Sequence, residues 1–104
     1  MDYEIAWSPE AIEDLESIAE YIGRDSEFYA QAVVTNILEV ARRMKDFPLA
    51  GRAVPELGNR KIRECLVYSY RVVYRVERQT ILVVAVIHGK RSFEKMSERF
   101  KEPT

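Results

Sequence analysis

Three runs in the C-terminal half, "KIRECLV", "YRVVYRV" and "TILVVAVI", are rich in β-branched and aromatic residues, and only "YS" and "ERQ" separate them. Links of two and three residues leave no room for a crossover helix, so successive strands must turn back and pair antiparallel. In the middle run Tyr70, Val72, Tyr74 and Val76 share one face, and Ser69, Arg71, Val73 and Arg75 share the other. The first face is expected to pack on the rest of the protein while the second carries its arginines on the open side. The last run is apolar on both parities, which suits a central strand.

The N-terminal half follows a different period. "YEIAWS" reads as a short strand with Tyr3, Ile5 and Trp7 on one face. Ser8 then caps a helix, Pro9 fills its first position and Glu10 faces its positive end. Ala11, Ile12, Leu15, Ile18, Ala19 and Ile22 recur at helical spacing, and Gly23 stops the helix. Ser26 or Asp25 caps a second helix with Ala30, Val33, Val34, Ile37, Ala41 and Met44 as its stripe, ending before Pro48 with Arg42, Arg43 and Lys45 at its negative end. "FPLAGRAVPELGN" reads as a loop. After "VIHGKR", the segment "SFEKMSERFKE" reads as a short helix capped by Ser92, with Phe93, Met96 and Phe100 inward. The expectation is one α+β domain over residues 1–104: an N-terminal strand and a two-helix hairpin on one face of a four-stranded antiparallel sheet.

Composition narrows the function classes. The longest apolar stretch, Ile81 to Ile87, is far short of the roughly 20 residues that span a bilayer. "MDYEIAWSPE" is acidic and does not read as a signal peptide. A single cysteine, Cys65, allows no internal disulfide and fits a reducing cytosol; with one histidine, His88, neither a metal site nor a cofactor is expected. Net charge is −1, yet residues 1–58 hold 12 acidic and 5 basic side chains, whereas residues 59–104 hold 11 basic and 5 acidic. The basic half is a candidate surface for an acidic partner; charges that merely keep strand edges soluble give the same pattern.

"WSPEAIEDLESIAEYI", "DFPLAGRAVPELG", "IRE…YRVVYRVE" and "VIHGKR", in that order along nearly the whole chain, resemble the RelE/ParE superfamily of toxins from type II toxin–antitoxin modules. The resemblance implies a cytoplasmic growth inhibitor, a role in plasmid stabilization, and a cognate antitoxin that binds it in a hetero-oligomer. It also implies one of two targets. RelE-like toxins cleave messenger RNA on the ribosome, and ParE-like toxins inhibit DNA gyrase.

Metal-free RNA cleavage needs proton transfer and stabilisation of the phosphorane charge. Under that reading the catalytic residues are Arg71 and Arg91, which match arginines of RelE-like nucleases, and His88 as a proton carrier by its chemistry. The C-terminal tyrosine of those nucleases has no counterpart here, where Phe93 and Phe100 stand, and a pI near 5.9 is low for a ribosome-bound nuclease. "SPEAIEDLESIAEYI", "GRAVPELG" and "VIHGKR" are more similar to ParE-like sequences, whose action by binding requires no proton-transfer set. Arg63, Arg71, Arg75, Lys90 and Arg91 are then the candidate partner- or target-binding residues, with His88, Lys90, Arg91 and Arg71 gathered at one end of the sheet. A non-toxic interaction module that keeps the fold is a third reading. Structural roles compete with each assignment: arginines that solvate a sheet face, a histidine that ends a strand, a backbone angle at Gly89 that other residues dislike, and Tyr68, Tyr70 and Tyr74 as core residues.

Overall fold

A computed structural model describes residues 3–89 and 98–100. In chain order these form β1 (Glu4–Trp7), α1 (Pro9–Gly23), α2 (Glu27–Arg43), β2 (Arg52–Ala53), β3 (Ile62–Val67), β4 (Tyr70–Val76) and β5 (Thr80–His88), then a 3-10 turn over Glu98–Phe100. The sheet order is β1-β5-β4-β3-β2, so the sheet has five strands and is mixed. Both departures from the expected four antiparallel strands have non-local causes. β1 lies parallel to β5, with Glu4 beside Thr80 and Trp7 beside Val83, because both helices and the meander intervene and supply the long crossover a parallel pair needs. Arg52 and Ala53, inside the proline- and glycine-containing loop, pair antiparallel with Glu64 and Arg63. The meander β3-β4-β5 is antiparallel as its short links require, and β5 is an interior strand.

The helices begin where the sequence places them. Ser8 Oγ accepts the Ala11 N–H at 3.1 Å, and Ser26 Oγ accepts the Tyr29 N–H at 3.1 Å. Ala11, Leu15, Ile18 and Ile22 of α1, with Val33, Ile37 and Ala41 of α2 and Met44 at its C-cap, pack on Val72, Tyr74, Ile81 and Val83 of the sheet. Ile12 departs from the expected stripe and is largely exposed. Each fully buried aliphatic side chain here contributes roughly 1.5–3 kcal/mol relative to exposure. A second cluster, Val54, Ile62, Val73 and Ala85 with Leu57, Ile87 and Phe100, sits on the opposite face. The face expected to be open is therefore covered by the β2–β3 loop and by Phe100. Phe93, Met96 and Ser92 of the expected C-terminal helix lie outside the described residues.

Backbone strain sits elsewhere than at Gly89. Positive φ occurs at Gly58 (60°) and at Tyr68 (55°), the first residue of the two-residue link, as mirror-image hairpin turns require. Asn36 Nδ2 donates to Tyr68 Oη at 2.6 Å and helps hold that residue. Gly89 instead approaches closely: its N–H donates to the Ser69 carbonyl at 2.7 Å.

β5 carries one residue too many for β4. Tyr74 lies opposite Val83 and Val73 opposite Ala85, which leaves Val84 as the extra residue of a β-bulge. β1 ends opposite Val83, so side chains serve the β5 backbone from there on. Arg99 donates to the Val84 carbonyl at 3.0 Å, and Asp14 Oδ2 of α1 accepts the Val86 N–H at 3.0 Å. Arg99 and Asp14 also pair with each other at 2.7 and 3.1 Å. Replacing Asp14 by Ala leaves a backbone donor and a guanidinium without that partner, and urea denaturation is expected to show a loss of about 2 kcal/mol. Glu20→Ala, which removes only the exposed Glu20–Arg24 pair, is expected to change stability by less than about 0.5 kcal/mol.

Candidate functional site

The β3–β4 register sets Leu66 across from Arg71 and Glu64 across from Val73. These four side chains share the face opposite the helices, because alternation along each strand fixes their side. The Glu64 carboxylate is fully buried there, with 0 % side-chain exposure, and a buried charge must be paired. Its Oε2 accepts from Arg52 Nε at 2.9 Å and lies 2.8 Å from Arg52 Nη2 in the same ion pair. Its Oε1 accepts from Arg71 Nε at 2.9 Å and also from Arg71 Nη2. The other edge of the Arg71 guanidinium grips Glu56, Nη1 to Oε2 at 3.1 Å and Nη2 to Oε1 at 3.0 Å. The result is a chain of alternating charge, Arg52–Glu64–Arg71–Glu56, that crosses β2, β3, β4 and the turn after β2. Hydrogen bonds from Arg71 hold the Glu56 carboxyl below its usual range, and Glu56 in turn raises Arg71.

A second set of contacts fixes the loop that carries Arg52. Tyr74 Oη accepts the Gly51 N–H at 3.1 Å and donates to the Pro48 carbonyl at 3.0 Å. A Cβ at position 51 would stand 2.5 Å from that hydroxyl, so the position requires glycine. Arg63 staples the same loop, donating to the carbonyls of Gly51 at 2.8 Å and Leu49 at 3.3 Å. Burial pushes the Tyr74 hydroxyl up to about 12. Cys65, half-buried beside it, also has its thiol pushed up by burial, as fits a packing residue.

The candidate residues are thus dispersed. Arg71 is buried and doubly ion-paired rather than exposed, Arg63 holds a loop, and Arg75 lies over the Phe100 ring at 5.9 Å. Lys90 and Arg91 lie outside the described residues. His88 is opposite Tyr70, and the two rings meet edge to face with centroids 5.6 Å apart. Ile87 is opposite Arg71. His88 and Arg71 therefore occupy the same end of the sheet but opposite faces. A regular ladder would have set His88 across from Ser69, on the Arg71 side; the extra residue Val84 reverses it. Glu64, Glu56 and Arg52 do not stand out in the sequence, although one acid among the apolar and basic residues of "KIRECLV" is a signal for a buried pair. Among the described residues no His, Cys, Asp or Glu group could hold a metal, and no helix is long and apolar enough to cross a membrane.

A sequence model described as the ParE toxin of the type II toxin–antitoxin system, parDE, matches residues 5–93. The chain belongs to the ParE toxin family. The match contains the whole described sheet except Glu4, both helices and the ion-pair chain. No relative matches among curated proteins. Solved structures share the RelE/ParE-like fold. The chromosomal ParDE system of P. aeruginosa has a TM-score of 0.69 at 18% identity, over 83% of this chain and 95% of that one. The RelBE2 toxin–antitoxin complex of Mycobacterium tuberculosis has 0.63 at 18%, over 85% and 99%. The YoeB dimer of Staphylococcus aureus has 0.58 at 18%, over 82% and 94%.

In this ParE-family chain Arg71→Ala strands the Glu64 charge with one partner, and the expected loss of stability is about 3–5 kcal/mol. Arg75→Ala is expected to lose less than about 1 kcal/mol in the same denaturation assay. An exposed arginine at position 71 would cost little folding when removed; its burial reverses that. Tyr74 yields a pH test. Its proton is held more tightly folded than unfolded, so stability should fall as pH rises from the ordinary tyrosine value near 10 towards 12. Tyr74→Phe should be less stable at neutral pH and show a shallower decline over that interval, read from urea midpoints.

Proposed function

We propose that this toxin arrests growth by binding DNA gyrase and does not cut RNA. The observation that supports this reading is the separation of His88 from Arg71. Metal-free cleavage requires a proton carrier and a charge-stabilising group to converge on one phosphate. Here they lie on opposite faces, and the Arg71 guanidinium is already engaged by two carboxylates. Inhibition by binding needs neither group to be catalytic, and the match to the ParE family agrees with it.

Neutralisation by a cognate antitoxin, in the cytoplasm, completes the reading. An open groove of about 500 Å³ runs between β1 and α2, lined by Tyr3, Ile5, Trp7, Leu38 and Ala41 with Glu4, Arg42 and Lys45. An apolar floor whose rim carries two cations and one acid, with Arg42 also paired to Glu39, suits an antitoxin segment that is mainly apolar with an acidic residue placed to meet Lys45. The ParDE and RelBE2 structures are of toxin–antitoxin systems, which agrees with such a partner.

Expression of the chain alone in its host should stop growth, and co-expression of the protein encoded beside it should restore growth. The purified protein should inhibit gyrase supercoiling and leave messenger RNA intact on translating ribosomes. Codon-positioned cleavage with gyrase unaffected would reverse the target assignment, and normal growth with soluble protein present would favour an inert interaction module.

A further inference from the structure

The two carboxylates on Arg71 are not equivalent. Glu64 is sealed in a strand, whereas Glu56 has 42 % side-chain exposure and sits on a turn. That turn is held to Val54 by backbone bonds of 3.2 and 3.3 Å from Leu57 and Gly58. Glu64 binds one edge of the guanidinium and so orients it, and Glu56 occupies the other edge as a two-pronged ligand. If Glu56 swings away, the planar fork of Arg71 remains in place with Arg52 nearby. Among Arg52, Glu64, Arg71 and Glu56 the balance of formal charges at that spot then changes from zero to one positive. Leu66, directly across from Arg71 on the same face, is 63 % exposed.

We propose that the Arg71 fork is a docking site for a carboxylate of an acidic, leucine-compatible protein segment, and that Glu56 is a built-in competitor that covers it until the partner displaces it. A carboxylate fits because a carboxylate already fills the fork in two-pronged geometry. The exposed Leu66 offers an apolar contact that a neighbouring side chain of a peptide can use and a sugar–phosphate backbone cannot. The buried Glu64 charge also penalises a polyanionic strand more than a single carboxylate. This surface lies on the opposite sheet face from the β1–α2 groove, and it holds whichever enzyme the toxin inhibits.

The test is a titration of the full chain with the tripeptide Glu-Leu-Glu, following the Arg71 Nε–H signal by NMR. Glu56→Gln keeps the size of the side chain and removes its charge. Because an internal competitor lowers apparent affinity by the fraction of open sites, this variant is expected to bind the tripeptide about tenfold more tightly than wild type. The Arg71 signal should shift on binding. Glu77→Gln removes the same charge from an exposed turn away from the fork and should change affinity less than about twofold. Leu66→Ser in the Glu56→Gln background should give back part of the gain. An Arg71 signal that does not respond in Glu56→Gln overturns the proposal. So does an equal gain in Glu77→Gln, which would reflect net charge alone. A phosphodiester dinucleotide that gains as much as the tripeptide would also overturn it, as a general anion site.

Discussion

A carboxylate cut off from water has to be satisfied within the protein, and Glu64 is satisfied twice, by Arg52 and by Arg71. That requirement organises one side of the molecule. Arg52 must lie beside β3, so two residues of an otherwise irregular loop become a strand. Arg71 must point inward from β4, so the face that carries it cannot be a solvated arginine surface. Glu56 then meets the remaining edge of the guanidinium and pulls the β2–β3 turn over the sheet, where Val54 and Leu57 complete the second apolar cluster. Polar pairing and hydrophobic burial support each other here, since the loop that brings the acid also brings the aliphatic cover.

The same pairing changes the meaning of the charge asymmetry. Two acids of the N-terminal half, Asp14 and Glu56, are joined to two arginines of the C-terminal half, Arg99 and Arg71. Part of the excess positive charge is therefore neutralised internally. What remains for a partner is a smaller field than residue counting implies, and recognition has to rely more on where forks and apolar side chains lie.

Features governed by neighbours along the chain are legible in the residues themselves. Ser8 and Ser26 announce the helices, the links "YS" and "ERQ" dictate the hairpins, and the doubly apolar β5 reads as interior. Features that depend on contacts between distant segments are not. Nothing in Glu4–Trp7 says that its neighbour will be β5 or that the pair will be parallel. Nothing local to Arg71 says whether it meets water or Glu64, because alternation assigns a face and only the loop path decides whether that face is covered. The superfamily can be read from the order of its motifs, while the ion-pair chain cannot, since its members come from three strands and a turn.

The placement of His88 depends on a single residue. The hairpin between β4 and β5 begins in one register and, after Val84, continues in another, so every later side chain of β5 changes face relative to β4. The bulge falls where β1 ends, so among the described residues β5 backbone groups beyond Val83 have no strand on that side to serve them. Arg99 takes the Val84 carbonyl and Asp14 takes the Val86 N–H, each from outside the hairpin. The first helix and the C-terminal turn thus stabilise the irregularity that turns His88 towards Tyr70 and away from Arg71. In this chain the separation of those two groups is set by α1 and the C-terminal turn as much as by the strands themselves.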